Sequence, residues 1–198
     1  MAKKNIYKMK IFSNNSINHA ADLIHKGEII ILPTDTLYGF SFDACNSNTI
    51  ERFNKFKRRN NPISIIVDSI EMAREYAEIK DEDLFHSLLP GPFTCLYPKN
   101  VGTNLSDLVT NNSNLVGIRI PKHKLSISIV QKLQKPITTT SVNIHGEKPL
   151  ETIEDIKNEF PYIKYFDEGH LISKGSTIIN FSINPPKIIR QGDGNFKK

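Results

Sequence analysis

The sequence contains no tryptophan and only two cysteines, Cys45 and Cys95, among its 198 residues. Two cysteines cannot form a disulfide framework or a metal site by themselves, so we predict reduced thiols in a reducing compartment. No apolar run is long enough to cross a bilayer, and the basic N-terminus lacks the apolar stretch and cleavage site of a secretory signal. A cytoplasmic protein without membrane association is therefore expected.

Motifs that mark several common enzyme classes are also missing. The six histidines show neither H-x-x-H nor H-E-x-x-H spacing, so we expect no protein-built metal site. There is no G-x-S-x-G elbow, no G-x-x-x-x-G-K-[ST] phosphate loop and no G-x-G-x-x-G dinucleotide signature. These absences disfavour zinc hydrolases, acyl hydrolases, P-loop enzymes and Rossmann dehydrogenases.

Arginine is scarce, with six residues against 20 lysines, although the formal net charge is +5. The positive charge favours anionic partners such as nucleotides, phosphate or nucleic acid, without distinguishing among them. In a chain that mostly uses lysine, an arginine indicates a position that needs a bidentate contact, because only arginine provides a rigid bidentate fork.

The apolar pattern predicts one α/β domain over residues 1–198, with a mixed sheet covered by helices. A polar loop is expected over 103–114 and a flexible basic tail over 192–198. Helices are predicted over 14–26, from a cap at Asn48, from a cap at Asp68 to about residue 77, from Asp81, over 125–133 and over 152–160. Strands are predicted over 28–32, 37–42, 63–67, 93–97, 115–120, 137–140, 176–181 and 187–190.

Polar clusters lie where several predicted strands and helices end, which is where α/β folds place their sites. Residues 33–39 could grip a small ligand or form a turn that bonds its own backbone. The four cations within 55–59 could clamp a polyphosphate or be a solvated helix end. Arg119 interrupts an apolar strand and needs either a structural carboxylate or an anionic ligand. Residues 138–146 could line a phosphate or ribose site or form an edge strand with a turn.

These clusters resemble, in order, the motifs of the YrdC/YciO-type family, the threonylcarbamoyl-AMP synthases. Residues 33–39 match P-T-[DE]-T-x-Y-G, and residues 57–59 match K-x-R, a register that places Lys57 rather than Lys55 in the motif. Further matches are P-G-P-x-T at 90–94, R-[IV]-P at 119–121, S-x-N-x-x-G at 141–146, S-T-[IV]-[IV] at 176–179 and R-x-G at 190–192. The sequence departs from the family in two places. Asn61 and Pro62 follow residues 57–59 sooner than is usual in the family. The 63–67 strand lacks the histidine that is often found there.

The resemblance implies a single YrdC-like domain with a twisted mixed sheet and a basic concave cavity. It also implies that L-threonine, bicarbonate and ATP, with Mg²⁺, give threonylcarbamoyl-adenylate and pyrophosphate. The product would feed the t6A modification of tRNA, with other proteins of that pathway as partners. Such chemistry needs positioning and phosphate charge stabilisation rather than an enzyme nucleophile.

The family motifs also imply roles for individual residues of this sequence. Lys57 and Arg59 are expected to be catalytic and to bind the ATP phosphates. The remaining nucleotide contacts are expected from Ser141, Asn143 and Arg190. The threonine site is expected to comprise Thr34, Thr36, Arg119, Thr139 and Ser176.

A different class of function stays open at this stage. A non-catalytic YciO-like protein could use the same basic cavity to bind RNA, including tRNA or double-stranded RNA, or nucleotides. It would show salt-sensitive binding without ATP turnover. The chain lacks basic stretches with interleaved aromatic residues suited to stacking on single strands, so the sequence favours RNA binding less than the synthase.

Overall fold

The computed structural model describes residues 12–59, 61–143 and 146–196. The helices are α1 (Asn14–His25), α2 (Ser47–Lys57), α3 (Ile70–Tyr76), α4 (Glu82–Leu88), α5 (Asp107–Thr110), α6 (Lys124–Leu133) and α7 (Ile153–Glu159). The strands are β1 (Ile30–Leu32), β2 (Gly39–Ser41), β3 (Ser64–Ile66), β4 (Phe93–Pro98), β5 (Leu115–Arg119), β6 (Ile137–Ser141), β7 (Lys164–Tyr165), β8 (Thr177–Asn180) and β9 (Lys187–Arg190).

The strands of the described residues form one mixed sheet in the order β7-β1-β2-β6-β3-β5-β4-β8-β9. Three pairs are parallel, namely β1 with β7, β3 with β5 and β4 with β8, and the other five are antiparallel. The mixed sheet flanked by helices confirms the predicted fold class. None of the helices within the described residues combines the length and apolarity that crossing a bilayer requires.

Apolar side chains cover both faces of the sheet, which explains the continuous apolar run of β1. On one face, Ile30 and Leu32 pack with the buried residues of α1 and α6. On the other face, Ile31 belongs to the larger core, which contains the buried residues of α2, α3, α4 and α7. Alternation along β1 therefore divides its side chains between two cores.

Two helix caps differ from the prediction. The cap of α2 is Asn46, whose side chain accepts a hydrogen bond from the Thr49 amide, and not Asn48. The cap of α3 is Ser69, which accepts from the Met72 amide, and not Asp68. Consecutive residues with similar capping ability cannot be separated by sequence pattern, because the backbone angle at the helix entrance selects one of them.

Two segments expected to be polar coil or tail are packed instead, and one strand was missed. The 103–114 loop contains α5, because Val109 and Thr110 are buried. In the tail, the Gly194 carbonyl accepts a bond from the Thr177 hydroxyl at 2.7 Å, and Phe196 packs against Phe181. Residues 197 and 198 lie outside the described residues. The two-residue strand β7 was missed because both of its side chains are exposed and show no alternation.

A cluster of phenylalanines joins β2 to α2, and its packing predicts a large loss on truncation. Phe53 is fully buried, with its ring 5.4 Å from Phe40 and 4.7 Å from Phe42. Phe53→Ala should reduce the free energy of unfolding by about 3–5 kcal/mol, because a buried cavity replaces the ring. Urea denaturation measures this loss. The matched control Phe56→Ala removes a ring that is 49% exposed and should cost much less; equal losses would contradict the assigned core.

Candidate active site

A cavity of about 580 Å³ opens where the segment before β2 approaches the strands β3, β4, β5, β6, β8 and β9. Its described lining holds five cations and neither aspartate nor glutamate. The cations are Lys57, Arg59, Arg119, Lys174 and Arg190, and the hydroxyl and amide side chains are Thr36, Tyr38, Asn61, Ser64, Thr94, Thr139, Thr140, Ser141, Asn143 and Ser176. A cavity of this charge and polarity is suited to a polyanionic ligand.

The end of α2 supplies the first pair of cations. Lys57 is buried and donates to the backbone carbonyl and side-chain oxygen of Asn143, while its ammonium lies 5.2 Å from the centre of the Phe40 ring. Arg58 ends the helix in the left-handed conformation, and the chain then turns so that Arg59 donates to the Thr140 hydroxyl at 2.7 Å. This turn brings both members of the K-x-R motif to one cavity wall.

Neutral oxygens, rather than carboxylates, accept the hydrogen bonds of these two cations. Burial, and after it the positive charge of Arg59, lowers the pKa of Lys57 to about 8. Lys55, two residues earlier, is 75% exposed and pairs with Glu51 on the outer face of α2. The structure thus places Lys57 in the cavity and Lys55 outside it.

Arg119 has a structural carboxylate partner. Its guanidinium donates to Asp35 at 2.7 Å and to the Thr36 hydroxyl at 3.3 Å, and the second Asp35 oxygen accepts from the Lys122 amide at 3.0 Å. The Arg119 and Asp35 side chains are only 7% and 9% exposed. The buried Nε of Arg119 has no hydrogen-bond partner among the described residues, so the fork keeps a donor for a ligand.

The strand β8 and the loop before it form the opposite wall. The Thr94 and Ser176 hydroxyls are hydrogen-bonded at 2.7 Å, and both residues are buried. Arg190 of β9 donates to the Ser176 carbonyl at 2.8 Å and to its hydroxyl at 3.2 Å. This network fixes the orientation of Ser176 toward the cavity.

Nine of the ten predicted site residues line this cavity, and Thr34 does not. The Thr34 hydroxyl donates to the Leu37 carbonyl at 2.7 Å and accepts from the amides of Thr36 and Leu37. Thr34 thus forms the turn that was the alternative for residues 33–39. Its neighbours Thr36 and Tyr38 carry the polar groups of this segment into the cavity.

Sequence reasoning assigned no role to Tyr38, Ser64, Thr94 or Lys174, which also line the cavity. Tyr38 and Thr94 lie inside recognised motifs, so those motifs were the available signal. Ser64 is a polar residue in an otherwise apolar strand, and it lies beside Gly117 on the cavity floor. Lys174 begins a segment, residues 174–177, that faintly resembles a phosphate-binding loop, an interpretation that is rejected because the residue order is wrong.

The described residues contain no group of three histidine, cysteine, aspartate or glutamate side chains that could hold a metal ion. The Asn143 side-chain oxygen already accepts hydrogen bonds from Lys57 and Ser141, so a Mg²⁺ ion that arrived with a polyphosphate would depend on the ligands that it brings. Such an ion takes most of its ligands from phosphate oxygens and water rather than from a protein cage.

The buried ion pair predicts a specific pattern of stability. Asp35→Ala should reduce the free energy of unfolding by about 3–5 kcal/mol, because it leaves the buried Arg119 charge uncompensated. The double variant Asp35→Ala/Arg119→Met, measured by the same denaturant unfolding, should recover most of that loss. A double variant no more stable than Asp35→Ala would show that packing, and not the charge, explains the effect.

Comparison with known proteins identifies the family. The family model for Sua5, YciO and YrdC, described as "Telomere recombination", matches residues 22–192. A Methanocaldococcus jannaschii protein provisionally named as a threonylcarbamoyl-AMP synthase is 36% identical over 178 residues, which cover 85% of this chain and 82% of that protein. The threonylcarbamoyl-AMP synthase of Pyrococcus abyssi is 30% identical over 89% of this chain, and the chain spans only 54% of that relative.

Solved structures agree on the fold. The structure of P. abyssi Sua5 complexed with L-threonine has a TM-score of 0.83 and 26% identity, covering 92% of this chain and 56% of that one. Escherichia coli YciO has a TM-score of 0.84 and 19% identity, covering 94% of both chains, and is similar in fold. With the family model spanning most of the chain and its motifs gathered at one cavity, this chain belongs to the Sua5/YciO/YrdC family.

Proposed function

We propose that this chain is a threonylcarbamoyl-AMP synthase, a nucleotidyltransferase that makes threonylcarbamoyl-adenylate and pyrophosphate from L-threonine, bicarbonate and ATP. The observation that carries the proposal is the cavity lining, in which cations and hydroxyls surround a space without a carboxylate among the described residues. Because every lining cation except Arg119 is held by neutral oxygens or has no described partner, the cavity keeps positive charge for a nucleotide.

The reaction follows from this arrangement without an enzyme nucleophile. The deprotonated threonine amine and bicarbonate form a carbamate and water. A carbamate oxygen then attacks the α-phosphorus of ATP in line, the bond to the β-phosphate oxygen breaks, and pyrophosphate leaves. Since the barrier lies in positioning and in charge on the transferring phosphoryl group, fixed cations are the groups that lower it.

The predicted site residues that line the cavity have specific roles in this reaction. Lys57 and Arg59 bind the phosphates, while Ser141, Asn143 and Arg190 orient the nucleotide. Arg119, held by Asp35, directs its remaining donors to the threonine carboxylate beside the Thr36, Thr139 and Ser176 hydroxyls. Mg²⁺ carried by ATP would offset phosphate charge. We place the protein in the cytoplasm, where its product supplies tRNA t6A modification.

Substrate dependence tests the proposal directly. Pyrophosphate release from ATP should require both threonine and bicarbonate, because only their carbamate can attack the α-phosphorus. A pyrophosphate assay with each substrate omitted in turn measures this dependence. Release that is indifferent to threonine would overturn the assignment. Salt-sensitive RNA binding without any turnover would instead favour the non-catalytic alternative.

The pKa of Lys57 predicts a pH dependence of nucleotide binding. ATP affinity should fall as the pH rises through about 8, because Lys57 loses the charge that attracts phosphate. Lys57→Arg should remove this fall, since guanidinium stays protonated. Lys57→Ala should lower turnover by about 10²–10³, as for loss of one preorganised electrostatic group.

Calorimetric titration with ATP at several pH values gives the affinities, and the pyrophosphate assay gives turnover. Lys55→Ala is the matched control and should behave like the unsubstituted protein, because Lys55 lies outside the cavity. Equal effects at positions 55 and 57 would contradict the assignment of Lys57.

A further inference from the structure

Lys174 is the cavity cation whose ammonium group contacts no hydrogen-bond acceptor among the described residues. It lines the cavity at the exposed rim, beside Gly175 and Ser176. Among the described residues its ammonium has neither an ion-pair nor a hydrogen-bond partner. The other four lining cations all donate to described oxygens, so Lys174 alone keeps every ammonium proton for a ligand.

The backbone that carries Lys174 is held firmly although the side chain is not. The Lys174 amide donates to one Asp193 oxygen at 3.1 Å, and the Ser173 hydroxyl donates to the other at 2.5 Å. The Asp193 amide donates back to the Gly175 carbonyl at 2.9 Å. Gly192 permits this approach, since a Cβ there would lie 2.2 Å from the Gly175 oxygen.

Lys174 also ends a segment that crosses the molecule. Residues 166–176, here called the crossover segment, run from β7 at one edge of the sheet to β8 near the other. The segment is attached to the cavity wall through Tyr38, whose hydroxyl accepts from the Glu168 amide at 2.9 Å and donates to the Gly169 carbonyl at 2.7 Å. The hydrogen-bonded backbone of the crossover segment therefore positions Lys174 at the rim of the cavity.

Depth in the cavity indicates which part of a nucleotide reaches this rim. The groups proposed for threonine are 4–7% exposed, whereas Lys174 is exposed; these groups are Thr36, Arg119, Thr139 and Ser176. If the carbamate attacks from that buried end, in-line displacement directs the leaving group away from it, toward the mouth. A cation at the mouth then meets the two phosphates that leave, and not the α-phosphate.

We propose that Lys174 is a further anion-binding residue of this cavity, which binds the β- and γ-phosphates of ATP and the pyrophosphate that they become. This inference rests on the proposed function for the identity of the nucleotide. Lys57 and Arg59 would then contact the phosphates from one wall. Lys174, which lies in none of the family motifs of this chain, would contact them from the opposite wall.

Binding of three probes tests the assignment without requiring turnover. Calorimetry would measure the affinities of pyrophosphate, of a non-hydrolysable ATP analogue and of AMP. Lys174→Ala should weaken pyrophosphate and the ATP analogue by roughly five- to tenfold, as for one charge-assisted contact at a partly exposed site. AMP lacks both outer phosphates, so its affinity should change by less than about twofold. Lys174→Arg should retain most of the binding.

The matched control is Lys187→Ala, which removes one exposed lysine from β9 outside the cavity lining. It should leave all three affinities unchanged, and equal losses in the two variants would reduce the effect to net charge and overturn the proposal. Unchanged pyrophosphate affinity in Lys174→Ala, or an equal loss of AMP affinity, would also overturn it. Threonine-independent pyrophosphate release would contradict the proposed function alone, because the three binding measurements do not involve threonine.

Discussion

The ion pair between Arg119 and Asp35 is the constraint on which the cavity depends. Arg119 ends β5, whereas Asp35 belongs to the segment between β1 and β2, and three strands separate β1 and β5 in the sheet. The pair therefore joins the 33–38 segment to the centre of the sheet. Asp35 lies between Thr34 and Thr36, and its bond to Arg119 holds the segment from which Thr36 and Tyr38 line the cavity.

The ion pair uses only part of the hydrogen-bonding capacity of Arg119. A guanidinium so deeply buried requires a counter-charge, and Asp35 provides it without itself lining the cavity. Arg119 lines the cavity, and its Nε has no hydrogen-bond partner among the described residues, so a donor remains for a ligand carboxylate. Structural and binding roles, which look like alternatives when only the strand is considered, are thus compatible at Arg119.

The other cations follow a different rule. Lys57, Arg59 and Arg190 all donate to carbonyl or hydroxyl oxygens, which orient a cation while leaving its charge unneutralised. This arrangement makes the cavity electrostatically positive, because like charges gather there and no carboxylate is among its described lining residues. Burial, and after it the charge of Arg59, lowers the pKa of Lys57, and a bound polyphosphate would raise it again.

The sequence by itself determined the order of the helices and strands other than α5 and β7, and the positions of the motifs. Apolar spacing is a local property, so it located α1, α4 and β4 to within a residue or two. Motif spacing separated Lys57 from Lys55, because helical phase places residues two apart on different faces. Choices between neighbouring caps, at Asn46 and Ser69, lay beyond this local signal.

Only the tertiary structure decided which polar groups meet. Asp35 and Arg119 are 84 residues apart, and Thr94 and Ser176 are 82 apart, so nothing in their local patterns predicts either pair. The same limit explains why the sequence could not separate Thr34, whose hydroxyl bonds its own turn, from Thr36, and why it assigned Lys174 no role. A hydroxyl in a turn can face its own backbone or a cavity, and an exposed lysine can face solvent or a cavity. The direction is set by strand pairing and by contacts such as those of Asp193, which exist only after the chain has folded.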